Sequence, residues 1–175
     1  HIMNVLKKVK KSILLVVINT LLKGTHLFEI KRFLLNQCEG ISIGKNAKVV
    51  APIYMPIYSN LEIGDNTWVG KNFSLEGNGT VIIGNQCDLG PNVTCVTGSH
   101  KIGSKDRRAG VGYNGTVGIG DGTWIGTKAV LLVNNRIGKG CIVGAASVVT
   151  KDTEDNGVYA GCPAKLIRYL DEEEI

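Results

Sequence analysis

The sequence predicts an all-β protein built as a parallel solenoid, and two observations support this prediction. From residue 41 onward an aliphatic residue recurs every six positions, and the residue after it is usually glycine. A six-residue period fits neither a helix nor an alternating strand, but it is typical of a hexapeptide-repeat β-helix. The recurring positions are Ile63, Val69, Leu75, Ile83, Leu89, Cys95, Ile119, Ile125, Leu131, Ile137, Val143 and Val149.

Each repeat should supply one short strand and one turn, and three repeats should close a triangular coil. The aliphatic residue then points inward, while the glycine lets the backbone bend at a corner. Successive coils stack at about 4.8 Å and pair their backbone groups. The 23 glycines and the aromatic content of only 6% suit such closely stacked turns.

The chain is predicted to begin with an N-terminal helical arm, residues 1–40, followed by the β-helix domain with its C-terminal tail, residues 41–175. His1 and Ile2 precede a methionine and are interpreted as a cloning remnant. Residues 1–35 hold seven basic residues against one acid, whereas the remainder has a net charge of −1. The body therefore lacks the basic surface of a nucleic-acid-binding protein.

The apolar run in the arm, residues 13–22, is too short to cross a bilayer and is interrupted by Asn19 and Thr20. We expect an amphipathic helix packed on the rest of the protein or on a neighbouring subunit. The alternative is a helix that lies on an anionic membrane surface at the cytoplasmic face. Five cysteines without a CxxC pair favour a reducing, cytoplasmic environment.

The six-residue period is interrupted at three places. Residues 49–62 contain two prolines and predict an irregular first coil, and the eight-residue step after Leu75 predicts a bulge at 76–80. Between Cys95 and Ile119 the period would place Lys101, Arg107 and Tyr113 inside the coil. Burying such charges is too costly, so the segment near 101–116 is predicted to protrude as a loop. Long excursions from a rigid repeat are usually functional.

Residues 38–170 resemble the hexapeptide-repeat acyltransferases, in particular the sugar O-acetyltransferase branch that includes galactoside, maltose and exopolysaccharide acetyltransferases. The segments that carry the resemblance are "IGDNTWVGKN", "IIGNQCDLGPNVTCVTGSH", "IGDGTWIGTKAVLL", "IGKGCIVGAASVVTKD" and "YAGCPAKLIRYL". The resemblance implies a left-handed parallel β-helix that assembles as a homotrimer with active sites between subunits. At the C-terminus we expect a short helix.

The implied reaction is transfer of an acetyl group from acetyl-CoA to a sugar hydroxyl, with a cell-surface polysaccharide precursor as the preferred acceptor. His100 matches the family's catalytic histidine and lies just before the predicted loop. As a general base it would take the proton of the attacking hydroxyl. The backbone N–H of Thr127 matches the group that faces the thioester oxygen. Glu76 is assigned to acceptor binding or to orientation of His100, with a solvated bulge residue as the alternative.

The resemblance also assigns positions to the co-substrate and acceptor. CoA-binding positions are Trp124, Thr127, Ala145, Thr150, Lys151, Lys165 and Arg168. Basic side chains among them would meet the CoA phosphates. Asp88, Arg107 and Arg108 are candidate acceptor contacts, although Asp88 is also explained as a solvated turn residue and the two arginines as solvated loop residues. No metal is expected.

Other hexapeptide proteins fit less well. A γ-type carbonic anhydrase needs three zinc-binding histidines, and His100 is the only histidine of the repeats. A xenobiotic acetyltransferase shares the coils, loop and histidine, so this alternative stays open. A non-catalytic trimeric scaffold also stays open, and in that case His100 and the loop are incidental.

Overall fold

The computed structural model describes residues 2–171, which form a three-sided parallel β-helix closed at one end by two helices. Helix α1 is Ile2–Leu21 and helix α2 is Phe28–Asn36. The strands are β1 Ile41–Ile43, β2 Lys48–Val49, β3 Ile53–Tyr54, β4 Asn60–Ile63, β5 Trp68–Val69, β6 Phe73–Glu76, β7 Thr80–Ile83, β8 Asp88–Leu89, β9 Thr94–Val96, β10 Gly98–Ile102, β11 Ala109–Asn114, β12 Thr116–Ile119, β13 Trp124–Ile125, β14 Val130–Leu131, β15 Arg136–Ile137, β16 Ile142–Val143, β17 Val148–Val149, β18 Gly157–Gly161 and β19 Ala164–Tyr169.

The three sides are three sheets, which we call the first, second and third faces. The first face is β1-β4-β7-β12-β15, the second is β2-β5-β8-β13-β16-β18-β19, and the third is β3-β6-β9-β14-β17. Equivalent positions of successive coils stack in parallel register, for example Ile63 on Ile83. The aliphatic residues of the repeat are buried in one continuous core. The predicted all-β hexapeptide β-helix is therefore confirmed.

The corner between the first and second faces shows why the repeats contain asparagine and aspartate. Asn46 and Asn66 adopt a positive φ there, a conformation that asparagine and glycine tolerate. A side-chain ladder also runs along this corner. Asp65 Oδ1 accepts from the amide of Lys45 at 2.7 Å, and Asn85 Oδ1 accepts from the amide of Asp65 at 2.8 Å. The polar side chain of each coil thus satisfies an amide of the coil before it.

The first coil is more regular than the prolines predict. Ile53 stacks on Phe73, so the third face of this coil is in register with the next. The additional residues lie at the corner between β3 and β4, and the corner before β3 contains the cis peptide bond Ala51–Pro52. The predicted bulge at 76–80 is a similar corner between β6 and β7, where Gly77 has a φ of 99°. Both longer coils therefore place their additional residues at the corner between the third and first faces, and the strands keep their alignment.

The predicted short C-terminal helix is wrong for the described residues. β18 and β19 instead form an antiparallel hairpin at the end of the second face. The last coil leaves an open strand edge, and the returning strand pairs with it. Gly161, with a φ of 105°, allows the tight turn between the two strands. Residues 172–175 of the predicted tail, like His1 of the predicted cloning remnant, lie outside the described residues.

The helices close the open edge of the first coil. The Asn19 amide side chain bonds both the N–H and the carbonyl of Ile53, at 2.9 and 2.6 Å. Asn36 makes the same pair of bonds with Ile43, at 2.7 and 3.0 Å. Buried Lys11 donates to the Ser59 carbonyl at 2.7 Å, and burial lowers the pKa of this lysine. The expectation that the arm packs on the rest of the protein is confirmed for its inner side.

Four of the five cysteines, Cys38, Cys87, Cys95 and Cys141, are buried, and Cys162 is exposed. Burial raises the pKa of Cys95 to about 12, so this thiol stays protonated at neutral pH. The buried cysteines thus act as small apolar core residues.

Replacing Gly64 by alanine should destabilise the β-helix, because the coils stack without room for a methyl group. A Cβ at this position would lie 2.6 Å from the carbonyl carbon of Gly84 and 2.7 Å from the amide nitrogen of Asn85. These are backbone atoms, so the coils must separate. We expect a loss of about 1–3 kcal/mol in the free energy of unfolding, measured by urea denaturation.

Gly118→Ala is the matched control, because a Cβ there meets only Arg136 Cγ, at 3.9 Å. Its effect should stay within about 0.5 kcal/mol. Equal destabilisation by both substitutions would contradict the close stacking of the coils at Gly64.

Candidate functional site

The segment that interrupts the repeats is a β-hairpin that projects from the corner between the third and first faces. β10 and β11 pair in antiparallel fashion, with Gly98 opposite Asn114 and His100 opposite Gly112. The hairpin leaves after β9 and the chain re-enters the solenoid at β12. The predicted protrusion is confirmed, and its form is a two-stranded ribbon.

The imidazole of His100 is exposed on this ribbon and lies across Gly112. A Cβ on Gly112 would be 3.5 Å from His100 Nε2, so the glycine leaves that side of the ring free of side-chain atoms. Among residues 2–171, no hydrogen bond or ion pair involves the His100 side chain. The ring is thus open to groups that a second molecule would bring.

Glu76 lies at the base of the same hairpin, and within residues 2–171 no hydrogen bond or ion pair joins its side chain to His100. Its carboxylate accepts a hydrogen bond from Ser74 Oγ. Its backbone carbonyl accepts from the amide and hydroxyl of Thr97, at 2.6 and 3.0 Å. The structure therefore places Glu76 close to the region of His100, with its carboxylate exposed, while a direct orienting bond is absent from the described part of the chain.

Thr127 occupies the corner between the second and third faces, directly after Gly126. Its hydroxyl donates to the Pro91 carbonyl at 2.7 Å. The amides of Lys128 and Ala129 are both bonded to backbone carbonyls. Within residues 2–171, no acceptor is found for the amide of Thr127 itself.

The reason for this open amide is the residue stacked beyond it. At the corner between the first and second faces, the amide of Asn85 is satisfied by Asp121 Oδ1 of the next coil, at 2.8 Å. The residue in the equivalent position beyond Thr127 is Ala145, since Ile125 stacks on Val143. The side chain of alanine offers no hydrogen-bond acceptor, so the N–H of Thr127 remains an exposed donor. Such a donor can stabilise a developing negative charge on oxygen.

His100 and Thr127 lie at opposite edges of the third face. Pro91 lies directly before Thr127 in the stack, and six residues lie between Pro91 and Gly98, where the hairpin begins. The open amide therefore lies at the corner between the second and third faces, and the imidazole lies on the hairpin at the corner between the third and first faces.

The other candidate positions divide between the same two corners. Trp124 and Ala145 lie beside Thr127, whereas Thr150 and Lys151 follow β17 and lie at the corner of His100. Lys165 and Arg168 are exposed on β19, which extends the second face. We call Trp124, Thr127 and Ala145 the amide group, and His100, Glu76, Thr150 and Lys151 the histidine group.

The candidate acceptor contacts are also separated. Arg107 and Arg108 are exposed at the tip of the hairpin, where Arg108 Nη1 lies 3.5 Å from the Gly103 carbonyl. Asp88 is exposed on strand β8, so the interpretation as a turn residue is wrong. It stacks between Trp68 and Trp124 on the second face.

The sequence analysis missed Trp68, whose ring packs edge-on against Phe28 of α2 with centroids 5.6 Å apart. The signal was present in the repeat. Trp68, Asp88 and Trp124 each directly precede an inward aliphatic residue, so all three share one outward column. Phe28 had no such signal, because its position depends on how α2 packs.

Two absences within residues 2–171 set limits on the site. They contain no group of three or more histidine, cysteine, aspartate or glutamate residues placed to hold a metal ion. No helix within that range is both long enough and apolar enough to traverse a bilayer.

Known proteins share this architecture. The family model for the hexapeptide repeat of succinyl-transferase matches residues 61–95 and 116–151, on either side of the hairpin. A solved galactoside acetyltransferase, in complex with coenzyme A, is 30% identical, with a TM-score of 0.80 over 95% of this chain and 82% of that one. The chain belongs to the hexapeptide-repeat acetyltransferases. The family predicted from the sequence is confirmed.

Two further members of this hexapeptide-repeat family are similar. The galactoside O-acetyltransferase of Escherichia coli strain K12 is 35% identical over 133 residues, which are 76% of this chain and 66% of that protein. A hexapeptide-repeat acetyltransferase from Vibrio cholerae O1 biovar eltor, solved with acetyl coenzyme A, is 26% identical, with a TM-score of 0.82 over 95% of this chain and 88% of that one. The chain spans slightly less than two thirds of the length of the Escherichia coli relative.

Proposed function

We propose that this protein transfers the acetyl group of acetyl-CoA to a hydroxyl of a sugar, in active sites that lie between the subunits of a homotrimer. The observation that supports this most directly is the division of the site. The amide group and the histidine group hold complementary halves of an acyl-transfer centre at opposite edges of one face. A second copy that brings its amide group to the histidine group of the first would complete a site.

A trimer is the simplest assembly with this property. The contact is heterologous, because two different edges of the chain meet, and such contacts generate a closed ring when the rotation allows it. Three triangular prisms around one axis then form three equivalent clefts, each concave enough to hold CoA. The exposed cations of β19 and Lys151 border these clefts and would bind the CoA phosphates.

In the proposed reaction His100 takes the proton of the sugar hydroxyl as its oxygen attacks the thioester carbonyl carbon. The open amide of Thr127 donates to the carbonyl oxygen, which becomes negatively charged. The C–S bond then breaks, and the thiolate of CoA receives the proton from the imidazolium. The products are an acetylated sugar and free CoA, so no metal or redox group is required.

We propose a cell-surface polysaccharide precursor as the acceptor and the cytoplasm as the site of reaction, where acetyl-CoA is made. The relatives are named for galactosides, and this sugar is a reasonable first substrate. The test combines purified protein, acetyl-CoA and a panel of galactosides, maltose and antibiotics, with thiol release as the signal. Acetylation of antibiotics alone would favour the xenobiotic alternative. A protein that neither releases thiol from acetyl-CoA nor binds CoA would favour the non-catalytic scaffold.

We also propose that α1 rests on an anionic membrane surface. Its inner side is buried on the solenoid, yet the opposite side carries an apolar row that is 48–61% exposed. This outer stripe consists of Val5, Leu6, Val9, Ile13 and Val16. Lys8 flanks the stripe on one side, and Lys7 and Lys10, which contact Glu39 and Gln37, lie on the other, while α1 contains no acidic residue.

This combination is typical of a helix that lies in the plane of a membrane interface, with the apolar side buried and lysines near anionic headgroups. An apolar cavity of about 550 Å³ beside the stripe, bordered by Val9, Ile13 and Tyr58, adds to the surface that lipid could cover. A trimer would present three such helices, and their combined binding would exceed that of one.

Vesicle sedimentation tests the membrane contact. Wild-type protein should sediment with vesicles containing about one third phosphatidylglycerol and release at high salt. Val9→Glu combined with Ile13→Glu should abolish sedimentation. Ile167→Glu, at the opposite end of the solenoid and 63% exposed, is the matched control and should bind like wild type. A wild-type protein that ignores anionic vesicles, or that pairs its stripes in a larger assembly, would refute the proposal.

A further inference from the structure

The second face carries a groove that begins at Trp124 of the amide group and extends over Trp68, which no proposed step of acetyl transfer uses. Its lining begins with Trp124, Leu89 and Gly90, and continues through Trp68 and Asp88 to Lys48. The two adjoining parts of the groove measure about 420 and 280 Å³. Both parts are lined by Trp68 and Asp88, so they adjoin at these two side chains along the first four coils.

The column of side chains in this groove alternates aromatic and acidic groups. Trp68 stacks on Asp88, and Asp88 stacks on Trp124, so the two indoles lie about 10 Å apart at the strand spacing of the solenoid. Trp124 is 57% exposed. Phe28 of α2 supports the Trp68 ring from the side.

The carboxylate of Asp88 has no hydrogen-bond or ion-pair partner within residues 2–171. It therefore offers acceptor oxygens between two flat apolar surfaces. A sugar ring presents the complementary surfaces: C–H groups that cover an indole face, and hydroxyls at the rim that donate to a carboxylate. Hydrogen bonds to an ionised acceptor are about twice as strong as neutral ones.

Apart from Trp124, the groove lies away from the candidate CoA contacts. The candidate CoA contacts Lys151, Lys165 and Arg168 lie in the last coils, on the C-terminal side of Trp124. The groove extends from Trp124 in the opposite direction, toward α2. Trp124 is thus the boundary between the acetyl donor and a second, elongated binding region.

We infer that the second-face groove binds a saccharide chain of two or more residues, with Trp68 and Trp124 under successive sugar rings and Asp88 accepting hydroxyl hydrogen bonds between them. This inference rests on the proposed sugar acetyltransferase activity and specifies its acceptor as an oligosaccharide rather than a single sugar. The length follows from the two indoles, because one pyranose ring cannot cover both.

Tryptophan fluorescence tests the inference directly, because the chain has only two tryptophans and both line the groove. Protein saturated with CoA is titrated with maltotriose, a linear galactotriose and the corresponding methyl glycosides. The trisaccharide that binds should shift the emission at concentrations about fivefold below those of its methyl glycoside, since one additional stacked ring adds about 1 kcal/mol.

Kinetics with acetyl-CoA provide the second measurement. Wild-type enzyme should prefer the trisaccharide in kcat/KM, and Trp68→Ala should reduce that preference about fivefold through KM. Asp88→Asn should raise KM for the trisaccharide more than for the glycoside. Tyr54→Ala, which removes a 52%-exposed aromatic ring from the third face, is the matched control and should behave like wild type.

The outcomes separate this inference from the proposed function. Acetylation of methyl glycosides with no preference for either trisaccharide, and no change in emission, would refute the groove while leaving the acetyltransferase intact. Equal effects of Trp68→Ala and Tyr54→Ala would also refute it. Trp68→Phe keeps an aromatic surface and should retain most of the preference for the trisaccharide. This variant shows whether the loss in Trp68→Ala comes from the missing ring or from general unfolding.

Discussion

His100→Ala should lower the turnover number for acetyl transfer by about 10²-fold or more, because the sugar hydroxyl loses the group that accepts its proton. The side chain is exposed on the hairpin and has no described hydrogen bond, so its removal should leave the free energy of unfolding unchanged. The KM for acetyl-CoA should change little, since the CoA contacts lie elsewhere. Thiol release from acetyl-CoA at saturating acceptor measures the effect.

His26→Ala is the matched control, because His26 is an exposed histidine between the two helices. It should retain full activity. A His100→Ala enzyme that works at a rate close to that of the wild type would remove the general base from the mechanism and would require another group to accept the proton.

Thr127→Pro should reduce the turnover number by about 10²–10³-fold, because proline lacks the N–H that faces the thioester oxygen. The substitution is compatible with the backbone. Thr127 precedes Lys128, whose φ is 61°. In the preceding coil the equivalent corner has the same backbone form, because Pro91 precedes Asn92, whose φ is 60°. A proline already occupies the equivalent turn position, so the coil should stay folded.

Thr127→Ala keeps the amide and removes only the hydroxyl that bonds to the Pro91 carbonyl. It should retain activity within a few-fold of wild type. Similar losses in the proline and alanine variants would show that the side chain, and not the open amide, matters for the reaction.

The two inactive variants together also test the location of the site. If His100 of one subunit works with Thr127 of its neighbour, co-expressed His100→Ala and Thr127→Pro chains should form mixed trimers in which about a quarter of the sites are intact. Activity should then return to roughly that fraction of wild type. A mixture that stays as inactive as either variant would place both groups in one chain and contradict the divided site.

The fold was predictable because the repeat encodes it locally. Each inward aliphatic residue, such as Ile83 or Ile125, stacks on the residue at the equivalent position of the adjacent coil. The period of the repeat alone therefore specifies which residues form the core. The hairpin was predictable for the opposite reason. Continued coiling would have buried Lys101 and Arg107, and the cost of an unpaired buried charge excludes that structure.

The C-terminal hairpin was not predictable in this way. Residues 164–169 pair with β18 because the last coil presents an open edge, and this edge exists only once the coils have stacked. The repeat period ends before this segment and therefore carries no information about it. The same holds for Asn19 and Asn36, whose side chains close the opposite end of the solenoid.

For the candidate site, sequence was sufficient to select residues, and the tertiary structure was needed to group them. His100 could be chosen from its segment alone, because the residue type and its neighbours in the chain are local properties. The open amide of Thr127 depends on Ala145, which lies 18 positions later and stacks beyond it only in the folded coil. The column of Trp68, Asp88 and Trp124 likewise arises from stacking. Whether an amide finds an acceptor, and whether side chains form a groove, depends on which residues stack in neighbouring coils. These properties therefore exist only in the folded structure.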